Sequence, residues 1–238
     1  MSAPLAATGG SAYWYLTRST GAMALLLLTL AIALGVVDVK RWSTSRWPRF
    51  VVDSLHRNIS LLAMVFLILH IFTSVLDSFA SIPLIDAFIP FIGSYRPFWL
   101  GLGAVAFDLL LAVTITSLLR HRIGYTSWRA IHWLTYASWP IALLHGLGTG
   151  SDVKSTWLLA LSLACVALVA AAVLVRVLTG PECARLRGAA LGGAGLFAVF
   201  LLLWLPSGPL GSEWARRSGT PTSLLAHAKT VAKSGSRR

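Results

Sequence analysis

Long apolar runs, each close to the length of a membrane-spanning helix, alternate along this chain with short basic or proline- and glycine-rich connections. A helix that crosses hydrocarbon needs about 20 mostly apolar residues, and in lipid the backbone must satisfy its own hydrogen bonds. Six segments meet that requirement: Tyr15 to Val37, Leu55 to Phe79, Phe98 to Leu119, Trp128 to Leu147, Thr156 to Leu178 and Ala189 to Leu205. The expected fold is an all-α polytopic membrane bundle of about six helices spanning 15–205. An N-terminal segment, 1–14, precedes it, and a basic tail, 206–238, follows it and is expected to be disordered. The first run is too long for the apolar core of a signal peptide and is read as a retained helix. The sixth is short and glycine-rich, and Gly188, Gly192, Gly193 and Gly195 are expected to allow close helix packing. The loop Ser81 to Pro97, with Pro83, Pro90 and Pro97 among aromatic residues, is expected to lie on the membrane interface or cap what is beneath it.

Composition agrees with this pattern. Of the 238 residues 56% are hydrophobic and only 12% charged, too much apolar mass for a soluble surface to cover. The net charge of +12 does not indicate nucleic acid, because the basic residues fall mostly between the apolar runs. Lys40, Arg41, Arg46, Arg49, Arg120, Arg122, Arg129, Arg176, Arg185 and Arg187 lie on one side; Arg18, Arg96 and Lys154 lie on the other. That asymmetry places the loops after helices one, three and five in the cytoplasm, in what is expected to be a bacterial plasma membrane. The tail carries six Lys and Arg; it lies outside if helix six spans and in the cytoplasm if helix six is re-entrant. Cys165 and Cys183 have no cluster spacing, which argues against iron–sulfur or structural zinc sites.

The candidate chemistry is in four histidines. His56 and His70 lie fourteen residues apart on the second apolar segment, and His132 and His145 thirteen apart on the fourth. At about 1.5 Å per residue each pair is separated by about 20 Å along its helix. One return helix separates the two segments, so they run parallel: His56 and His132 share the cytoplasmic depth, His70 and His145 the opposite one. Facing imidazoles at one depth can supply both axial bonds of a haem. At about 100° per residue, fourteen steps bring His70 within about 40° of His56, whereas thirteen put His145 about 140° from His132. Either Pro140 kinks the helix and changes that phase, or the two cofactors use different sides of it. His121, in a basic loop, and His227, in the tail, have no partner at matched depth.

The histidine spacing resembles that of the ferric reductase-like transmembrane domain family. So does the run Thr116-Ser117-Leu-Leu-Arg120-His-Arg122-Ile-Gly124-Tyr-Thr-Ser-Trp128-Arg129-Ala-Ile-His132-Trp-Leu-Thr-Tyr136, with His145-Gly-Leu-Gly148-Thr149-Gly-Ser-Asp152 after it. The family includes the membrane parts of NADPH oxidases and ferric-chelate reductases and the haem subunit of bacterial methionine-sulfoxide reductase systems. The resemblance covers Leu55 to Leu178. It implies that His56, His70, His132 and His145 are axial ligands of two haem b groups and that electrons cross the membrane through them. Many members carry a flavin and NAD(P)H domain; about thirty residues after the last span cannot build one. A separate flavoprotein or the quinone pool is therefore the expected redox partner.

Arg57 and Arg129, within a turn of His56 and His132, are candidates for haem propionates. Asp108, within the third span, either relays protons or bonds a neighbouring helix. Phe66, Trp133 and Trp139 are candidates to pack on a porphyrin, or ordinary packing residues. Two other functions stay open. A quinol-oxidising cytochrome b also pairs histidines on helices two and four, although no Pro-Glu-Trp-Tyr motif occurs here. A metal or proton transporter would use the same histidines without haem.

Overall fold

The computed structural model describes residues 11–39, 48–150, 152–179 and 184–226. Lys40, Arg41, Arg46, Cys183, His227 and the basic end of the tail lie outside the described residues. The described chain is helix and turn, with no strand among its residues. The major helices are α1 (Ala12–Val39), α2 (Arg49–Leu76), α3 (Pro97–Leu118), α7 (Thr156–Thr179) and α8 (Ala184–Ser207). Between α3 and α7 come three shorter ones, α4 (Arg120–Ile123), α5 (Tyr125–His132) and α6 (Thr135–Thr149). A last turn of helix, α9, spans Trp214–Arg217. Five of these helices are long and apolar enough to span a bilayer, and the protein is an integral membrane protein.

The fourth expected span, Trp128 to Leu147, is not one helix. It is split into α5 and α6 by a turn at Trp133 and Leu134, where the N–H groups of Leu134, Tyr136 and Ala137 each donate to the carbonyl three residues earlier. Bonds of that type wind at three residues per turn, about 20° more per residue than an α-helix. The overwinding advances the phase between His132 and His145 by about 60° and so narrows the awkward thirteen-step offset. Pro140, one turn further on, has no N–H to give and its ring crowds the chain before it.

The helices form two hairpins. In one, α1 packs along the length of α2; in the other, α3 packs against α5 and α6. Their shared core joins Ile32 of α1 to Trp139, Leu143 and Leu147 of α6, Cys165 of α7 and Leu201 of α8. A polar junction within it is satisfied: Trp139 Nε1–H donates to Thr29 Oγ1 at 2.9 Å, and Thr29 donates to the Leu25 carbonyl at 2.8 Å. Trp139 is thus a core residue, and Trp133 is exposed, with the Arg176 guanidinium 5.1 Å from its ring centre. Phe66 is half-buried on α2. Leu61, Leu62, Val65, Ile68 and Phe72 of α2 are exposed, as are Leu196, Val199, Leu202 and Leu203 of α8, as suits surfaces that face hydrocarbon.

One further expectation is corrected. A side chain added at Gly188, Gly192, Gly193 or Gly195 would meet nothing within 4 Å, so these glycines permit no close contact within the chain. Of the expected tail, residues 206–226 are described and 227–238 lie outside the described residues. The described α8 is continuous with a 21-residue span, Arg187–Ser207, and residues 208–226 fold back as turns and short helices. There Arg96 holds the tail: its backbone N–H donates to the Gly219 carbonyl at 3.0 Å and its Nε–H to Thr220 Oγ1 at 3.0 Å. Its Nη1 donates to the carbonyls of Gly148 and Thr149 at 2.9 and 3.0 Å. These bonds hold Arg96 in a left-handed conformation (φ 43°) that a residue preceding proline rarely adopts. The tail therefore shares a face with the α2–α3 loop and with the end of α6.

Candidate functional site

Each of the four histidines is brought opposite its depth-matched partner. The ring centres of His56 and His132 are 6.3 Å apart with planes at 69°; those of His70 and His145 are 6.2 Å apart at 82°. Parallel histidine-bearing segments and a fourteen-residue spacing on α2 thus yield two layers, about 21 Å apart along that helix.

Three of the imidazoles are fixed in the same way. His56 Nδ1–H donates to the Ala31 carbonyl at 2.9 Å, His70 Nδ1–H to Thr17 at 2.7 Å, and His145 Nδ1–H to Trp99 at 2.9 Å. Such a bond sets the tautomer and leaves Nε2 with its lone pair. Four residues after each acceptor is a glycine whose missing side chain makes room for the ring. A Cβ at Gly35 would be 3.3 Å from His56, one at Gly21 2.9 Å from His70, and one at Gly103 2.5 Å from His145. His132 has no such arrangement: its Nδ1 is buried with no hydrogen-bond partner among the described residues, and its ring lies 4.9 Å from that of Trp128.

The His70–His145 layer borders a cavity of about 270 Å³. Arg18, Asp77, Tyr95, Asp86 and Asp152 bring polar groups to its wall. Arg18 pairs with Asp152 at 2.8 Å, and its guanidinium lies 3.4 Å from the Trp14 ring centre. The α2–α3 loop caps this space, as expected, through a 3-10 turn at Leu84–Ala87 that carries the buried Asp86. Burial raises the Asp86 carboxyl above its ordinary value, and burial likewise lowers the Arg96 guanidinium, against the opposing influence of Tyr95. At the other layer Arg57 and Arg129 are exposed beside the ligand helices. Asp108 is half-buried on α3 and does not line the cavity.

Sequence reasoning missed the three glycines, the carbonyls before them, and Arg18. One signal was present: Gly21 and Gly35 are fourteen residues apart, the same step as His56 and His70.

A family model described as the ferric reductase like transmembrane component matches residues 20–143, just over half of the chain. The chain belongs to that family. Membership makes transmembrane electron transfer its general function. The matched region contains His56, His70, His132 and all three glycines, and ends two residues before His145. No curated protein and no solved structure matches the chain.

Proposed function

We propose that this ferric reductase-like protein conducts electrons across the membrane through two b-type haems, one between His56 and His132 and one between His70 and His145. The observation that carries this reading is the separation of the facing rings, 6.3 and 6.2 Å. Two metal–nitrogen bonds of about 2.0 Å and two ring radii of about 1.1 Å span about 6.2 Å. The donor set agrees, since among the described residues no three His, Cys, Asp or Glu side chains gather into a site for a lone metal ion. Two imidazoles per layer suit a metal whose other bonds come from a macrocycle, which disfavours a metal transporter.

Haem bound there supplies a one-electron ferric/ferrous couple. The chain supplies the rest. The carbonyls of Ala31, Thr17 and Trp99 hold three Nδ1 protons, so each Nε2 faces inward as a neutral donor. The apolar helices exclude water and keep the layers at a fixed spacing. Arg18 at one layer, and Arg57 and Arg129 at the other, are the cations suited to haem carboxylates. The electron donor is taken to be a separate flavoprotein or the quinone pool, in a bacterial plasma membrane, with the loops after α1 and α7 and the α4–α5 connection in the cytoplasm.

The test is a dithionite-reduced minus oxidised absorption spectrum with pyridine-haemochrome quantification of the purified full chain. Two haems per chain are expected. Colourless protein, after haem-replete expression and with helicity intact, would overturn the cytochrome reading.

A further inference from the structure

The fourfold comparison of the ligands, taken with the two-haem reading above, separates one imidazole from the other three. The glycine–carbonyl arrangement repeats fourteen residues apart on α1, at Thr17 with Gly21 and at Ala31 with Gly35, and occurs once on α3, at Trp99 with Gly103. Fourteen residues further along α3 the pattern calls for the same arrangement opposite His132, and Val113 and Ser117 are there instead. The Ser117 hydroxyl accepts a hydrogen bond from Trp128 Nε1 at 3.1 Å, and it is Trp128 whose ring flanks His132 at an angle of 31°. Ring stacking of this kind gives contact without a directional bond to Nδ1.

A second observation is independent of the first. His132 is the last residue of the eight-residue α5, immediately before the turn at Trp133 and Leu134 where α-helical bonding gives way to three-residue bonding. The other three ligands lie inside long helices, His56 and His70 in the 28-residue α2 and His145 in the 15-residue α6. Among the described residues His132 thus lacks the hydrogen bond that fixes ring orientation, and it also lacks the regular backbone that fixes the Cα.

We infer that His132 is an exchangeable ligand, and that the His56–His132 layer is a binding site for a small neutral ligand that takes the place of its imidazole, whereas the His70–His145 layer is closed. The step is a substitution: the bond from iron to His132 Nε2 breaks, one from iron to the incoming donor atom forms, and no electron changes hands. Lacking the bond at Nδ1, His132 is also the less basic donor, which weakens its hold on the metal.

The probe is carbon monoxide, added to the dithionite-reduced, haem-replete full chain and read as a difference spectrum. Half of the haem is expected to react. The double variant His70→Ala/His145→Ala, left with the His56–His132 layer, should react fully, and His56→Ala/His132→Ala should not react. Where a double variant fails to accumulate, Gly103→Ala in the otherwise unaltered chain decides. By crowding His145 it should raise the reactive share of whatever haem remains above one half. A two-haem protein inert to carbon monoxide, or one that reacts at the His70–His145 layer, overturns this inference and leaves the cytochrome reading standing. Protein without haem overturns both.

Discussion

The two histidine layers have nearly the same ring separation and very different surroundings. At His70 and His145 both imidazoles are pinned to backbone carbonyls, each over a glycine, and the layer lies beneath a folded loop. The docked tail shares its face and is tied there to the end of α6. At His56 and His132 one imidazole is pinned and the other is not, and the nearby cations Arg57 and Arg129 are exposed. The contrast teaches that where a ligand sits and how firmly it is held are separate properties. Helix spacing supplies the first and a neighbouring helix the second.

The largest test of the contrast is at the glycines. A Cβ at Gly103 would be 2.5 Å from His145, one at Gly21 2.9 Å from His70, and one at Gly35 3.3 Å from His56. Haem per chain should therefore fall most for Gly103→Ala, with one of the two groups lost, less for Gly21→Ala, and little for Gly35→Ala. Equal losses across the three would mean that the glycines serve helix packing and not the imidazoles.

Arg96 comes next. Removing its guanidinium in Arg96→Ala takes the Arg96 donor from the carbonyls of Gly148 and Thr149, leaving Gly148 only that of Trp214, at a cost of about 1–3 kcal/mol. A lower melting temperature and faster trypsin cleavage at Arg216 and Arg217 are expected, with the His56–His132 haem unaffected. Cleavage at the wild-type rate would show that the tail is held by its other contacts, those of Trp214 and Lys154 among them.

Asp86 offers a smaller, pH-dependent test. Burial raises its native carboxyl above the unfolded value, so the native state holds this proton more tightly. The resulting stabilisation is complete below the unfolded value and is lost as pH rises through the native one. Asp86→Asn should therefore raise the melting temperature at pH 7 and leave it nearly unchanged at pH 4. An equal shift at both values would assign the effect to shape and not to charge. Smallest of all, Gly192→Ala on the open face of α8 should leave both layers filled and gain up to about 1 kcal/mol of helix propensity. Any loss of haem there would reveal a contact that the isolated chain does not make.

Much of this architecture was legible because its cause is local. Apolar runs of spanning length have few alternatives to helix in lipid, and the depth of a histidine follows from counting residues along one. What escaped depended on contacts between segments. The thirteen-step offset holds only for a regular helix between His132 and His145; three-residue bonding around Leu134 alters the phase, and Pro140 is its local sign. Gly21 and Gly35 were read as part of an apolar helix, since a glycine's use here is visible only with the ring that occupies its space. Arg96 looked like a loop cation marking topology, and its role as a latch needs partners 52 and 124 residues away. The tail looked disordered by composition, but its Trp214 packs 5.2 Å from Trp99 and donates to the Gly148 carbonyl at 3.1 Å.

The two-hairpin plan has a consequence for biogenesis. One ligand of every facing pair comes from the α1–α2 hairpin and its mate from the α3–α6 hairpin, so whatever bridges two imidazoles also rivets one half of the protein to the other. On the two-haem reading, loading the metal centre and tightening the bundle are one maturation event, added to the core that the two hairpins already share.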